Sequence, residues 1–198
     1  LQLPLFIPEG RQAAWRSLCK KLAAAGLTRF VLSQPGQLHL LPEGKGVTLL
    51  AGEDAYRLND AAAAALRAQG FATGILPLEN DLANLEATRD RTGIVPLYFR
   101  PPLFRSRMPV TAGDAPLHDQ HAAYLLHQRE GLTIVTPDRP VCLFQHRARL
   151  EALGYRRFLL DLSFEKPSQN TFNRLLGNCD AGQPEKQALL FNFKGGLQ

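Results

Sequence analysis

The sequence predicts an α/β protein whose elements form a partial or complete TIM-like (β/α) barrel with an inserted β-hairpin. The main observation is a pattern that occurs three times: a Leu, three residues, a Gly, an apolar residue and then a short apolar run. The glycines of this pattern are Gly26, Gly70 and Gly154. Glycine just beyond a helix adopts the left-handed backbone conformation that ends it, so each copy predicts a helix followed by a buried strand. We expect the three apolar segments to lie side by side in one sheet that is covered on both faces.

The predicted helices have a recognisable spacing or cap. Before the first glycine, apolar residues recur at helical intervals, at Trp15, Leu18 and Leu22. Asn59 or Asp60 is placed to cap an Ala-rich helix that runs to Gln69, because a short polar side chain accepts hydrogen bonds from first-turn amides. Asp81 is predicted to cap a third, short helix in the same way.

Short apolar runs between these helices predict the strands. They lie at residues 3–7, 30–33, 47–51, 75–78, 94–98 and 158–162, with a last one at 188–193. Residues 124–136 predict a β-hairpin around Glu130-Gly131, which interrupts the alternation of strands and helices. The Pro-rich segment 100–109 predicts an extended connection before the hairpin.

A chain of 198 residues is long enough for one domain, and we expect residues 1–198 to form a single α/β domain. Residues 1–110 are predicted to be βα units, 111–146 the hairpin insertion and 147–198 the closing βα units. No apolar run approaches the length of about 18 residues that a membrane span needs, and the three scattered cysteines suggest no disulfide framework. We therefore expect a cytoplasmic protein without membrane contact. The start at Leu1, without Met, suggests a fragment of a longer protein.

Several phrases of the sequence occur in the order in which a known family carries them. They are Ser33-Gln-Pro-Gly36, residues 51–59, Ile75-Leu-Pro-Leu-Glu79, residues 96–107, the strand that ends at Asp161, and residues 191–197. Their order resembles the C-terminal portion of a long, multi-domain member of peptidase family U32, the collagenase-like proteases. The resemblance covers nearly the whole chain.

This resemblance implies more than one class of function. The family is described as collagenase-like proteases, so the first expectation is a peptidase domain, that is, a hydrolase acting in proteolysis. Relatives act in hydroxylation of transfer or ribosomal RNA, so the alternative is a non-catalytic RNA-binding or scaffolding domain of an RNA-modifying protein. A purely structural half-barrel is a third interpretation. Several relatives are implied to hold an iron–sulfur cluster, but Met108 stands near the place of a family cysteine and no cysteine follows before Cys142, so we expect no cofactor in this chain.

Polar residues at strand ends are the candidates for chemistry, because barrel enzymes place their working groups at the carboxyl ends of strands. They are Ser33, Glu79, Arg100 and Asp161. Glu79 and Asp161 are the catalytic candidates, although the sequence identifies no nucleophile, base or metal that would act with them. The alternative interpretation is that both carboxylates accept hydrogen bonds from loop or helix-end amides, and that Asn59 only caps its helix.

Basic residues interleaved with aromatic ones are the candidates for RNA contact. Arg100, Arg105 and Arg107 have the chemistry for phosphate contact, and Phe99 and Phe104 have the chemistry for base stacking. A second basic cluster comprises Arg147, Arg149, Arg156 and Arg157. The net charge of +5 favours a polyanionic partner, whereas a solvated charged face is the alternative interpretation of both clusters. Candidate partners also include an upstream domain of the same parent protein and a second copy of the chain.

Histidine and cysteine offer further candidates. His118 and His121 would share one face of a helix and, with Asp119 or His127, would suit a metal such as zinc. The same segment fits a solvated loop, and we predict no metal site. Basic neighbours of Cys19 would lower the pKa of its thiol, whereas its helical position beside two leucines predicts a half-buried structural thiol.

Overall fold

A computed structural model of the chain describes residues 1–42, 46–110, 117–118, 123–129 and 131–195. These residues form a mixed α/β structure with helices and three sheets, none of which closes into a barrel. The chain divides into two compact units. Of the described residues, unit 1 holds those within 1–95 and 155–157 together with Gly195, and unit 2 holds those within 96–154 and 158–194.

Helices and strands alternate along most of the chain. The helices are α1 (Glu9–Ala24), α2 (Asp60–Ala68), α3 (Leu82–Ala87), α4 (Arg147–Ala152) and α5 (Gln169–Ala181). The strands are β1 (Arg29–Leu32), β2 (Thr48–Ala51), β3 (Phe71–Gly74), β4 (Ile94–Phe99), β5 (Phe104–Ser106), β6 (Leu117–His118), β7 (Ala123–Arg129), β8 (Leu132–Pro137), β9 (Val141–Cys142) and β10 (Arg157–Leu160). No described helix combines the length and the apolar character that a membrane crossing requires.

Unit 1 contains a parallel sheet in the order β1-β2-β3. The glycines predicted to end the helices before β1 and β3 have left-handed backbone, with φ of +96° at Gly26 and +91° at Gly70. This prediction is therefore confirmed. Side chains of the sheet and of α1 form the core, and they include Phe30, Leu32, Ala51, Phe71 and Cys19.

The predicted caps of α2 and α3 are also confirmed. Asn59 Oδ1 accepts a hydrogen bond from the amide of Ala62 at 2.9 Å, and Asp81 Oδ1 accepts one from the amide of Asn84 at 2.7 Å. Asp60, the other candidate for the first cap, instead accepts from two amides of a later loop. Both helices thus begin where the sequence indicates.

Two strand predictions in unit 1 are wrong, and prolines explain both because they have no amide hydrogen for a ladder. Residues 3–7 contain Pro4, are followed by Pro8 and form no strand, and only Gln2 bridges to β1. The strand predicted at 75–78 is displaced toward the N-terminus and forms β3, which stops before Pro77. Only Ile75 of the predicted segment makes a bridge, to the first residue of β4.

Unit 2 contains an antiparallel sheet in the order β5-β8-β7-β6. The predicted hairpin is confirmed, because β7 and β8 pair along their length and Gly131 in the turn has a φ of +77°. The Pro-rich segment that was predicted as a connection also contributes β5, whose Phe104 pairs with Val135. β5 and β6 are the edge strands of this sheet.

The remaining sheet has the order β10-β4-β9. Tyr98 of β4 pairs with Cys142 of β9. The carbonyl of Tyr98 also accepts a hydrogen bond from the amide of Asp161, just after β10, at 2.7 Å. β10 therefore lies outside the β1-β2-β3 sheet, and the expectation that all three glycine-led strands share one sheet is wrong. Gly154 still ends α4 with a φ of +100°, because the pattern fixes the local backbone and not the pairing partner.

The C-terminal part of unit 2 differs most from the predictions. Helix α5 was not predicted, although Ser168 caps it. The strand predicted at 188–193 is wrong, since only Leu189 makes a bridge, to β9. Gln187 and Phe191 both have positive φ, which interrupts an extended chain.

Candidate functional site

The predicted strand-end residues divide between the two units. Ser33 and Glu79 belong to unit 1, and Arg100 and Asp161 belong to unit 2. Ser33 is buried directly after β1, and its hydroxyl donates to the carbonyl of Leu3 at 3.0 Å. This hydrogen bond joins the end of β1 to the segment before α1, and the hydroxyl is not accessible to a substrate. Glu79 is partly exposed in a turn after β3.

Unit 2 brings two of the predicted residues to the same end of neighbouring strands. Arg100 directly follows β4, and Asp161 directly follows β10. Asp161 Oδ1 accepts a hydrogen bond from the amide of Ser163 at 2.9 Å, which agrees with the structural interpretation of this carboxylate. The carboxyl end of the β4–β10 pair is therefore the part of unit 2 at which the predicted polar residues meet.

The guanidinium of Arg100, at the carboxyl end of β4, is positioned by an aromatic ring. The guanidinium of Arg100 lies 4.7 Å from the ring centroid of Phe164, and its Nη2 donates to the carbonyl of Asp138 at 3.1 Å. Phe164 also packs against Tyr98, with ring centroids 5.5 Å apart. Among the described residues Arg100 makes no salt bridge, so its positive charge is oriented without being neutralised by a carboxylate.

Tyr98 adds a fixed hydrogen-bond donor to the same cluster. Its hydroxyl donates to Glu165 Oε1 at 2.7 Å. Burial raises the pKa of Tyr98 far above its usual value, and the neighbouring carboxylate of Glu165 raises it further. Tyr98 is therefore a protonated structural group, not an acid or base near neutral pH. Sequence reasoning missed Phe164 and Glu165, whose position three and four residues after the Asp161 strand end was the available signal.

The residues proposed for RNA contact differ in accessibility. Phe104 is 56% exposed on the edge strand β5, whereas Phe99 is 3% exposed and buried in β4, so the stacking role predicted for Phe99 is wrong. Arg105 is half-buried in β5, and Arg107 is exposed just after it. An exposed aromatic ring and two arginines therefore follow one another along a single edge of the sheet.

One face of the hairpin sheet is basic. Arg105 and His127 both pair with Ile134, so the three side chains project from the same face, and Arg129 follows two residues later on that face. His127 Nε2 lies 3.1 Å from the hydroxyl of Thr136. Burial lowers the pKa of His127, and the positive charge of Arg100 lowers it further, so this imidazole is neutral at pH 7.

In the second basic cluster, Arg147 already forms salt bridges with carboxylates. Arg147 forms ion pairs with Glu151 and Asp180, and its guanidinium lies 5.7 Å from the ring centroid of Phe158. These contacts tie α4 to α5 and strand β10, which is a structural role. Arg156 and Arg157 belong to unit 1, so the cluster seen in the sequence is divided between the two units.

The three cysteines are buried thiols. Burial raises the pKa of Cys19, which overrides the lowering expected from its basic neighbours, and the side chain is fully buried instead of half-buried. Burial likewise raises the pKa of Cys142 and Cys179. None of these thiols has the ionised, accessible form that a cysteine nucleophile needs.

The histidines considered for a metal do not share a helix. His118 lies on strand β6, which contradicts the helical arrangement, while Asp119 and His121 lie outside the described residues. Within the described ranges, no group of three His, Cys, Asp or Glu residues is arranged to hold a metal ion.

Unit 1 contains a buried ion-pair network that the sequence analysis did not find. Asp90 forms salt bridges with Arg57, at 2.8 Å, and with Arg67. It also accepts hydrogen bonds from the amide and hydroxyl of Thr92. The side chain of Arg57 is only 4% exposed, and Gly93 leaves room for it, since an added Cβ would overlap its guanidinium. The network joins the loop before α2 to the loop before β4, which is a structural function.

The chain was compared with protein-family models, with curated proteins and with solved structures, and none of the three comparisons gives a match.

Proposed function

We propose that this chain is a U32-type domain of a longer RNA-modifying protein, and that it binds RNA through unit 2 without carrying out the reaction. The observation that carries the proposal is the edge of the hairpin sheet, where the exposed ring of Phe104 is followed by Arg105 and Arg107. Aromatic rings stack on bases and arginines contact phosphates. The net charge of +5 also favours a polyanion.

The strand-end cluster of unit 2 supports the same proposal. Arg100 is held over the Phe164 ring with its charge unneutralised among the described residues, so it can attract a phosphate without first breaking a salt bridge. In this proposal the chemistry itself belongs to an upstream domain of the same parent protein. In this proposal the βα units complete a TIM-like barrel with that domain, in a cytoplasmic parent protein.

Peptide hydrolysis has less support from the side chains. All three thiols are buried, and the hydroxyl of Ser33 points inward to the Leu3 carbonyl. The hydroxyl–imidazole contact between Thr136 and His127 involves a buried threonine, which a substrate cannot reach. Glu79 and Asp161 remain the peptidase candidates by resemblance alone.

RNA binding is tested by fluorescence anisotropy with a labelled RNA at about 50 and about 200 mM salt. The double variant Arg105→Ala/Arg107→Ala should bind roughly tenfold more weakly at the lower salt and show a shallower salt dependence, because it loses two phosphate contacts. Lys20→Ala/Lys21→Ala on α1 is the matched control, since it removes the same charge from exposed positions of unit 1. An equal loss in both double variants would show non-specific attraction and contradict the assignment to unit 2.

The peptidase alternative has its own assay. Degradation of gelatin or casein by the purified chain, abolished by Glu79→Gln or Asp161→Asn while the fold is retained, would replace the RNA-binding proposal. We expect no difference between these variants and the unchanged protein in that assay.

A further inference from the structure

The three nitrogens of the Arg100 guanidinium have different surroundings. Nη2 donates to the carbonyl of Asp138 at 3.1 Å. Nε is buried and has no hydrogen-bond partner in the described part of the chain. Nη1 also lacks a described partner but is not buried, so a ligand can reach it. The guanidinium therefore has one accessible donor group, at Nη1.

The buried Nε of Arg100 has a consequence for stability. A buried N–H without a partner lowers stability, because it has lost its hydrogen bonds to water and has gained none in the protein. Within the described ranges Arg100 also forms no salt bridge that would offset the burial of its charge. On stability alone, an apolar side chain of similar length would serve at this position as well as an arginine. An arginine that is held here without a stability gain is expected to bind a ligand.

Phe164 and the Asp138 carbonyl together orient this guanidinium. The ring of Phe164 lies 4.7 Å from Arg100 Cζ and fixes one face of the planar group, while the carbonyl fixes the Nη2 end. The loop that carries Phe164 is itself anchored. Its ring packs against Tyr98, with centroids 5.5 Å apart, and the next residue, Glu165, accepts the hydrogen bond of the Tyr98 hydroxyl at 2.7 Å. The orientation of Nη1 is therefore set by these contacts before a ligand arrives.

We infer that Phe164 is a positioning residue for RNA binding, because it holds the guanidinium of Arg100 with Nη1 accessible to one phosphate. The inference rests on the proposed RNA-binding function and adds to it the residue that prepares the Arg100 contact. A lysine could not replace Arg100 in this role, since an ammonium on a flexible stem has no plane that the ring could hold.

The first test separates a binding role of Arg100 from a structural one. Arg100→Met removes the charge and the unpaired Nε but keeps an unbranched side chain. It should weaken RNA binding roughly threefold in fluorescence anisotropy and make the salt dependence shallower by about one contact. The melting temperature should stay the same or rise, because no buried donor is left unsatisfied. A fall of more than about 4 °C would show that Arg100 is a structural residue and overturn the inference.

The second test concerns Phe164 and uses a double-mutant cycle. Phe164→Ala should weaken RNA binding by about the same factor as Arg100→Met, and Phe164→Tyr should retain the affinity of the unchanged protein, since it keeps a ring under the guanidinium. In the Arg100→Met background, Phe164→Ala should cause no further loss, because the group that it positions is already absent. Phe172→Ala, which removes a 47% exposed ring from α5, is the matched control and should not change the affinity.

The outcomes of the cycle distinguish this inference from the function on which it rests. Additive losses for Arg100→Met and Phe164→Ala would mean that Phe164 acts on binding by another route, and would overturn the inference. If neither variant binds more weakly while Arg105→Ala/Arg107→Ala does, the inference fails and the proposed function stands. If the unchanged protein does not bind RNA, both are wrong.

Discussion

The parallel sheet of unit 1 contains a buried phenylalanine, whereas the hairpin sheet of unit 2 contains an exposed one. Phe30 of β1 pairs within a three-stranded parallel sheet and is fully buried in the core, whereas Phe104 of β5 lies on an edge strand and is mostly exposed. A parallel sheet between helices buries both faces, but an antiparallel hairpin sheet can leave one face open. Phe30 therefore contributes to the stability of unit 1, whereas the ring of Phe104 is available for binding in unit 2.

The largest effect that this comparison predicts is on Phe30. Replacing it by alanine removes a fully buried ring from the core and should lower the free energy of unfolding by about 4 kcal/mol. Urea denaturation followed by circular dichroism measures this change. A loss below about 1 kcal/mol would mean that the core of unit 1 is not packed as described.

The next effect concerns the buried ion pair of unit 1. Asp90→Asn should lower the free energy of unfolding by about 3 kcal/mol, because it leaves the buried guanidinium of Arg57 without a counter-charge. Asp138→Asn is the control, since that carboxylate is partly exposed, and its pair with Arg139 should contribute less than about 1 kcal/mol. If the two variants lose equal stability in urea, the network of Asp90 is not buried in solution.

The same carboxylate predicts how stability depends on pH. Burial raises the pKa of Asp90, but hydrogen bonds from Thr92, Arg67 and Arg57 outweigh it and hold the pKa well below its usual value. A depressed pKa in the folded state stabilises the protein above the ordinary carboxylate pKa of about 3.9, and this contribution is lost as the pH falls below it. Urea unfolding at about pH 7, 4 and 3 should show a smaller acid-induced loss for Asp90→Asn than for the unchanged protein. Parallel losses in the two proteins would contradict the assignment to Asp90.

The smallest effect on stability is expected for a substitution in the hairpin sheet. Phe104→Ala should change the free energy of unfolding by less than about 0.5 kcal/mol, because the ring already contacts water in the folded state. Thermal and urea unfolding check this value beside the Phe30→Ala result. A loss above about 2 kcal/mol would show that Phe104 is covered by protein and would weaken its proposed role in RNA binding.

Much of the local structure could be predicted from the sequence. The helix ends at Gly26, Gly70 and Gly154, and the cap at Asn59, depend on residues a few positions apart, and all of them are confirmed. The candidate site was predicted less completely. Arg100 and Asp161 were placed at strand ends, but Phe164, which orients Arg100, comes from a loop that no periodic pattern marks.

The sequence by itself determined where the chain turns, where several helices start and stop, and that residues 124–136 form a hairpin, because backbone conformation and capping bonds are decided by near neighbours. Only the tertiary structure decided that β10 pairs with β4, that Asp90 meets Arg57 and that Phe104 is exposed while Phe99 is buried. Sheet partners, ion pairs and burial join residues far apart in the chain. They are fixed by how the elements pack, which no local pattern of residues encodes.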